Sequence, residues 1–159
     1  MNGSYRNLCD RGELADRAKQ LRDLLSSCTL CPRLCGSDRL RGETGYCRTG
    51  RYAVVSSVCC HHGEEPPVSG TRGSGTVFFS LCNLACLYCQ NYEISHEGMG
   101  TEVSPEELAR HMLALQEKGC HNLNMVSPSH VAAQIVEALE LAAEKGLRIP
   151  LVYNSNGYD

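Results

Sequence analysis

One stretch decides how this chain is interpreted, and it reads Thr76-Val77-Phe78-Phe79-Ser80-Leu81-Cys82-Asn83-Leu84-Ala85-Cys86-Leu87-Tyr88-Cys89-Gln90-Asn91. It begins as an apolar run typical of a buried strand and continues with three cysteines, Cys82, Cys86 and Cys89. An iron-sulfur cubane usually takes four protein thiolates, so three thiolates leave one iron open to an exogenous ligand. The spacing therefore predicts a cluster-binding loop with one free coordination position.

Two other uses of these cysteines have to be weighed. Structural zinc normally takes four nitrogen or sulfur ligands, and the next histidine or cysteine along the chain is His96. A disulfide framework would leave one of the three thiols over, and the residues from Met1 to Asp10 lack the apolar core of a secretion signal. Iron-sulfur ligation is the favoured interpretation, and zinc remains the alternative.

The composition is that of an ordinary globular protein with two outliers. The chain has 159 residues, 42% apolar and 21% charged, with 15 glycines and 11 cysteines. In the absence of a secretion signal the thiols are expected to be reduced, so clustered cysteines indicate metal ligation in a cytoplasmic protein. The net charge of −3 does not indicate the basic surface that would attract nucleic acid. No apolar run approaches the roughly 18 residues of a membrane span. We therefore expect neither a nucleic-acid nor a membrane partner.

A second cysteine set lies in the N-terminal part of the chain. An amphipathic helix from Arg11 to Leu25 is predicted to lead into the loop-rich stretch Cys28–Gly50, which is dense in glycine and arginine. Because this stretch can bury little apolar surface, a metal is expected to order it. The four ligands would be Cys28, Cys31, Cys35 and Cys47, a closed all-thiolate set that suits structural zinc or a second iron-sulfur cluster.

Other polar residues between the two cysteine sets are weaker candidates. Cys59-Cys60-His61-His62 is too compact to wrap one metal, and one or two of its side chains are expected to point towards the cluster neighbourhood. Glu64 and Glu65 precede a Pro-Pro turn, where they form a solvated loop or serve a substrate. Cys9 and Cys120 are interpreted as small packing residues.

The C-terminal half alternates strands with helices. Ser104 is a predicted N-cap, with Pro105 at the first helical position and Glu107 completing a capping box. A series of this kind implies parallel strands joined by right-handed crossovers. The predicted strands are Tyr52–Val58, Thr76–Leu81, Asn122–Val126 and Pro150–Tyr153, and the predicted helices are Ser104–Lys118 and about His130–Lys145.

These elements predict an α/β protein in two parts. Residues 1–72 hold the N-terminal helix and a Cys-rich metal-binding region, and residues 73–159 hold the first part of a parallel (β/α) barrel. The parallel part has three strands, which cannot close a barrel, so the barrel is expected to be partial and truncated after its third strand.

The stretch Thr76–Asn91 resembles the signature of the radical S-adenosylmethionine (radical SAM) enzymes, including the aromatic residue before the third cysteine. Within them, the chain from about Cys28 to Asp159 is similar to uncharacterised iron-sulfur proteins related to pyruvate formate-lyase activating enzymes. The most group-specific pieces are Gly63-Glu64-Glu65-Pro66-Pro67, Gly73-Ser74-Gly75 and Cys89-Gln90-Asn91. The fold implied by this resemblance is a partial (β/α) barrel of radical SAM type.

The resemblance also implies roles for individual residues. Cys82, Cys86 and Cys89 would ligate a 4Fe-4S cluster whose open iron takes S-adenosylmethionine. Tyr88 would pack near the adenine or else fill the core, and Ser127 would replace a Gly-Gly-Glu-like contact to the methionyl amino group. Asn154 and Ser155 would contact the ribose. His130 could reach this site, although a surface or N-terminal helix position is the safer interpretation.

The function implied is reductive cleavage of S-adenosylmethionine to start hydrogen abstraction, with activation of a glycyl radical enzyme as one possible use. The partners would be a reductant such as flavodoxin or ferredoxin and a protein substrate. Two alternatives stay open. One is a truncated, non-catalytic iron-sulfur or zinc-binding module, because three strands give only part of the enclosing wall. The other is a ferredoxin-like electron carrier, which would need two fully ligated clusters.

Overall fold

The computed structural model describes residues 3–159, which form one mixed sheet with helices packed against it. The helices are α1 Tyr5–Asp10, α2 Glu13–Asp23, α3 Pro66–Ser69, α4 Tyr92–Ser95, α5 Pro105–Glu117 and α6 Ala132–Glu144. The strands are β1 Ala53–His61, β2 Ser74–Phe79, β3 Thr101–Val103, β4 Leu123–Val126 and β5 Leu151–Asn154. Short 3-10 turns occur at Leu24–Ser27, Arg39–Arg41 and Ser129–Val131.

The sheet has the strand order β3-β1-β2-β4-β5. Strand β2 runs parallel to β4, and β4 runs parallel to β5, with Phe78 opposite Val126 and Val126 opposite Asn154. The α/β class and the parallel βαβαβ unit are therefore confirmed. The larger barrel of which this unit would be a part stays a prediction.

The sheet also has an antiparallel half that the sequence pattern did not predict. Strand β1 pairs antiparallel with β2 and with β3, and it extends to His61, three residues beyond the predicted end. A register irregularity lies between Val55 and Ser57. The predicted boundary between the two parts of the chain, at residues 72 and 73, stays a prediction. The sheet includes strands from both sides of this boundary.

Helices α5 and α6 cover one face of the sheet and form the core with it. The apolar side chains at this interface are buried, and they include Val77, Leu108, Met112, Leu115, Leu123, Met125, Ile135, Ala138 and Ala142. Burial of this kind, at about 25 cal/mol per Å² of apolar surface, is the main stabilising term of the fold. Helix α2 packs against α6.

Short sequence signals near the helix termini determine where the helices begin and end. The predicted capping box is present: Ser104 Oγ accepts from Glu107 N at 3.2 Å, and Ser104 N donates to Glu107 Oε2 at 2.9 Å. Helix α6 begins at Ala132 rather than at His130, because Ser129–Val131 forms a 3-10 turn first. The helix predicted over Arg11–Leu25 is α2, which begins at Glu13, after Gly12 with φ +76°, and ends at Asp23; helix α1 lies before the predicted range.

No helix within residues 3–159 is both long and apolar enough to cross a membrane.

Replacing Ser104 by Ala tests the capping box. Loss of the side-chain acceptor leaves the Glu107 N–H without its partner at the start of α5, so the free energy of unfolding should fall by about 1 kcal/mol. Urea denaturation followed by circular dichroism measures the change. Ser56, an exposed serine of β1, provides the matched control, and Ser56→Ala should change the stability by less than about 0.5 kcal/mol. Equal losses in the two variants would contradict the capping role.

Candidate metal centre

The cysteine loop follows the carboxyl end of β2. Ser80 N donates to Val54 O at 2.8 Å, and Leu81 N donates to Ile94 O at 2.8 Å, so the start of the loop is held against β1 and α4 by backbone hydrogen bonds. Leu81 and Ala85 adopt φ values of 68° and 54°, in the left-handed region that L residues rarely occupy. Strained backbone of this kind persists only where the surrounding structure fixes it, which is frequent at functional sites.

Two of the three predicted ligands share a small cavity. Cys82 and Cys89 line a space of about 50 Å³ together with Val126 and Ser127 at the end of β4 and with Ile94 of α4. Cys86 lies on the same loop, where its carbonyl accepts from Cys89 N at 3.2 Å. The cavity therefore brings residues 82, 89 and 127 together at the edge where the sequence predicted them.

The donor chemistry of the loop fits an iron-sulfur cluster. All three cysteines are free thiols, and thiolates are the ligands that such clusters take. Cys82 Sγ also accepts from Leu84 N at 3.4 Å and from Asn156 Nδ2 at 3.5 Å, as cluster-ligating sulfurs do. Across residues 3–159, no three His, Cys, Asp or Glu side chains converge tightly enough to hold a metal ion. The three-ligand assignment accordingly stays a prediction.

The other predicted cofactor contacts lie around the same edge. Ser127 adopts φ 51° directly after β4, and its N–H donates to Asn154 O at 2.9 Å at the end of β5. Ser155 donates its hydroxyl proton to Asp159, which also accepts from Ser129. These two hydrogen bonds hold the pKa of Asp159 below its usual range. The side-chain hydroxyl of Ser155 is thus already engaged within the turn.

Tyr88 does not fill the core. Its side chain is 93% exposed, and the neighbouring Leu87 is 94% exposed, so both project from the tip of the loop. The core-filling alternative is wrong, and the predicted adenine contact remains untested. An exposed apolar pair at a loop tip is unusual, because water disfavours such a surface.

The second cysteine set includes a buried cysteine, Cys28, that contacts a buried arginine. Cys28 and Cys47 are buried, Cys31 is half-buried and Cys35 is exposed. Burial raises the pKa of Cys31, and the neighbouring Cys47 and Cys28 thiols raise it further. Arg39 is 1% exposed, and its NH1 lies 3.7 Å from Cys28 Sγ and 2.9 Å from His130 O. A metal at Cys28, Cys31, Cys35 and Cys47 stays a prediction.

Arg33 connects the two cysteine segments. Its Nε donates to Asn83 O at 2.9 Å and its NH2 to Leu84 O at 3.5 Å, both within the loop after β2. The guanidinium carbon lies 3.7 Å from the ring centre of Tyr46 and 5.1 Å from that of Tyr158. A planar cation between two aromatic rings is well placed for cation-π attraction. No spacing rule in the sequence pointed to this contact.

The group Cys59 to His62 lies at the wrong end of the sheet for the cluster loop. Cys60 pairs with Gly75 and His61 with Ser74, at the amino end of β2, whereas the loop follows its carboxyl end. The expectation that one or two of these side chains point towards the cluster is wrong, because β1 runs antiparallel to β2. Cys60 Sγ instead lies 2.8 Å from the Sγ of Cys120, and burial raises the pKa of Cys120 to about 12.

Glu64 is in contact with the sheet. Its Oε1 accepts from Asn124 Nδ2 at 2.9 Å, and Asn124 is a fully buried residue of β4. The solvated-loop interpretation therefore does not describe Glu64. A substrate role for Glu64 and Glu65 has not been tested.

His130 is buried, so the predicted surface position is wrong, whereas its place directly before the N-terminus of α6 is close to the predicted N-terminal helix position. It is 1% exposed in the 3-10 turn before α6, and its Nε2 lies 3.2 Å from Ser80 O, two residues before Cys82. A carbonyl can only accept, so the proton of the neutral ring is on Nε2. Burial, reinforced by the charge of Arg39, lowers the pKa of His130 to about 4.

The neutral His130 makes stability depend on pH. Between pH 6.5, the ordinary pKa, and about 4, the unfolded chain binds a proton that the folded chain does not. The free energy of unfolding should therefore fall with decreasing pH by up to about 1.4 kcal/mol per pH unit in this window. Urea titrations at several pH values should show this slope in the wild type and a smaller one in His130→Gln. Parallel pH profiles for the two proteins would contradict the assignment.

Replacing Arg33 by Ala should loosen the cysteine loop. The variant loses two hydrogen bonds to loop carbonyls and a cation-π contact, so amide hydrogen exchange at residues 82–89 should accelerate roughly tenfold. Mass spectrometry of peptic fragments measures this rate. Arg41→Ala is the matched control and should leave the loop unchanged, because the Arg41 side chain is 86% exposed and, within residues 3–159, forms its ion pair with nearby Asp38 alone. Similar acceleration in both variants would count against the bridging role.

Comparison with known proteins gives the chain a family. The family model described as the Radical SAM superfamily matches residues 76–159. An uncharacterised protein of Methanocaldococcus jannaschii, MJ0674, is 27% identical over 144 residues, which is 86% of this chain and 40% of that protein. The chain thus spans less than half the length of this relative. No solved structure matches. The family match begins at β2 and includes the cysteine loop, the cavity beside it and both parallel crossovers, and this chain belongs to the Radical SAM superfamily.

Proposed function

We propose that this chain binds a 4Fe-4S cluster through Cys82, Cys86 and Cys89 and binds S-adenosylmethionine at the open iron. Membership of the superfamily implies both cofactors. The observation that supports this placement is the cavity that Cys82 and Cys89 share with Ser127, where the ends of β2 and β4 meet. The ends of parallel strands are the usual position of a ligand site in such sheets.

The residues around the cavity have different roles in binding the two cofactors. A cluster held by Cys82, Cys86 and Cys89 would, when reduced, supply the electron for cleavage of S-adenosylmethionine. Phe78, Leu81 and Ile94 form an apolar wall that excludes water from the reacting atoms. Ser127, in its left-handed conformation, lines the cavity where the methionyl group would bind, and Asn154, whose carbonyl accepts from Ser127 N, lies beside it for the ribose.

For the second cysteine set we propose a closed, four-thiolate metal site. The buried guanidinium of Arg39 supports it, since a buried cation is stable only when hydrogen-bonded and near negative charge. Its described hydrogen bonds go to the carbonyls of Gly50 and His130 and to Cys28 Sγ. A thiolate at Cys28, as part of an anionic metal site, supplies that negative charge. Zinc and a second cluster both fit the ligands.

The wider role belongs to the proposal as well. Relatedness to pyruvate formate-lyase activating enzymes suggests a protein substrate that receives a glycyl radical, a flavodoxin or ferredoxin as reductant, and a cytoplasmic location. The exposed Leu87-Tyr88 tip of the cluster loop is compatible with contact to such a partner. Because MJ0674 is much longer than this chain, these roles concern the activity of a whole protein.

The test is anaerobic reconstitution with iron and sulfide, reduction in the presence of S-adenosylmethionine, and chromatographic assay of 5′-deoxyadenosine. The wild type should form a 4Fe-4S chromophore and release the product. Cys86→Ala should lose both while keeping any metal held by the Cys28–Cys47 stretch. Cys9→Ala, which removes a thiol outside both sets, is the matched control and should behave as the wild type.

Two results would refute parts of the proposal. An intact 4Fe-4S signal in Cys86→Ala would show that Cys86 is not a ligand. A reconstituted wild type that forms the cluster but releases no 5′-deoxyadenosine would favour the non-catalytic module. Metal analysis of Cys86→Ala separately identifies zinc or iron at the second site.

A further inference from the structure

The sulfur of Cys82 is the only one of the three loop thiols for which a side-chain amide donor is seen among the described residues. Asn156 Nδ2 lies 3.5 Å from Cys82 Sγ, and the backbone N–H of Leu84 lies 3.4 Å from it. Asn156 is 74 residues further along the chain, in the turn after β5. A contact across that separation is set by the sheet and not by the loop itself.

One backbone group fixes the orientation of the Asn156 amide. The N–H of Tyr158 lies 3.0 Å from Asn156 Oδ1, and a backbone N–H can only donate, so the atom facing it must be the oxygen. The Nδ2 group must therefore face the sulfur. It carries two hydrogens, of which one reaches Cys82 Sγ and the other Asn83 Oδ1 at 2.9 Å.

The partner residue Asn83 is fixed in the same way. Its Nδ2 donates to Tyr158 O at 2.7 Å, and a carbonyl can only accept, so its Oδ1 must face Asn156. Asn83 is completely buried, which makes an unsatisfied amide there costly. The two asparagines consequently hold each other and the Cys82 sulfur in one arrangement.

The turn itself is well suited to present Asn156. Gly157 adopts φ 78°, and its N–H donates to Ser155 Oγ at 2.8 Å. Ser155 N donates to Tyr153 O at 3.1 Å, which anchors the turn to the end of β5. The amide is therefore positioned by backbone structure before any cofactor binds, as a preorganised supporting group should be.

We propose that Asn156 is a positioning residue for the Cys82 thiolate and that it makes the cluster easier to reduce. This inference rests on the proposed function, since it requires Cys82 to ligate the cluster. An N–H dipole aimed at a ligating sulfur stabilises negative charge on it, and reduction adds one negative charge to the cluster. Hydrogen bonds to the sulfurs are among the factors that set cluster reduction potentials.

The experiment compares midpoint potentials of the reconstituted cluster in the full 159-residue chain, without S-adenosylmethionine, by redox titration monitored with electron paramagnetic resonance. Asn156→Leu removes the donor and should shift the potential to more negative values. Asn156→Asp is nearly isosteric and places a carboxylate beside the sulfur, so its shift should be larger in the same direction. Tyr158→Phe keeps the backbone bonds to both asparagines and should retain the wild-type potential.

The possible outcomes separate this inference from the proposed function. A wild-type potential in both Asn156 variants overturns the inference alone, and a lower melting temperature without a potential shift does the same, because it shows a purely structural role. If Asn156→Leu fails to fold, the midpoint potential of the near-isosteric Asn156→Asp variant decides whether the inference holds. Failure of the wild type to form any cluster removes the ligand assignment, and the inference falls with it.

Discussion

The parallel hydrogen bonding of β2, β4 and β5 is the constraint on which the rest of this structure depends. It places Phe78, Val126 and Asn154 in one row across the sheet, so the segments that follow them leave from a common edge. The cysteine loop, Ser127 and the turn with Asn156 meet there although about 75 residues of chain separate the first from the last. Helices α5 and α6 make this register unique, because a one-residue slip would turn Val77 and Met125 away from the core.

The N-terminal cysteine segment belongs to the same edge of the molecule. It has little apolar surface to bury, and arginines hold it in place: Arg33 binds the loop after β2, and Arg39 binds the carbonyls of Gly50 and His130. Gln134 of α6 adds a bond to Arg51 O at 2.8 Å. The two cysteine sets, separate in sequence, are therefore joined by Arg33 at the loop that follows the carboxyl end of β2.

Much of the fold and of the candidate site could be predicted from the sequence. The features that were not predicted share a physical cause. The capping box, the helix stops and the strand runs are local signals, so α5, α6 and the parallel strands lie close to their predicted positions. Ser127 was implied by the resemblance to the radical SAM enzymes, and Asn154 and Ser155 followed from the rule that parallel strands end at one edge. The antiparallel pairing of β1, the Cys60–Cys120 contact and the burial of His130 all depend on partners distant in sequence, which periodicity does not encode. Asn83 and Asn156 were missed for the same reason, since an asparagine beside a cysteine carries no distinctive spacing.

The central claim is that three thiolates leave one iron of the cluster open. Mössbauer spectroscopy of the chain reconstituted with Mössbauer-active iron tests this most directly, because it resolves an iron whose ligands differ from those of the others. The account predicts that addition of S-adenosylmethionine changes the isomer shift and quadrupole splitting of a single iron site and leaves the remaining sites as they were. A spectrum that is identical with and without S-adenosylmethionine would contradict it.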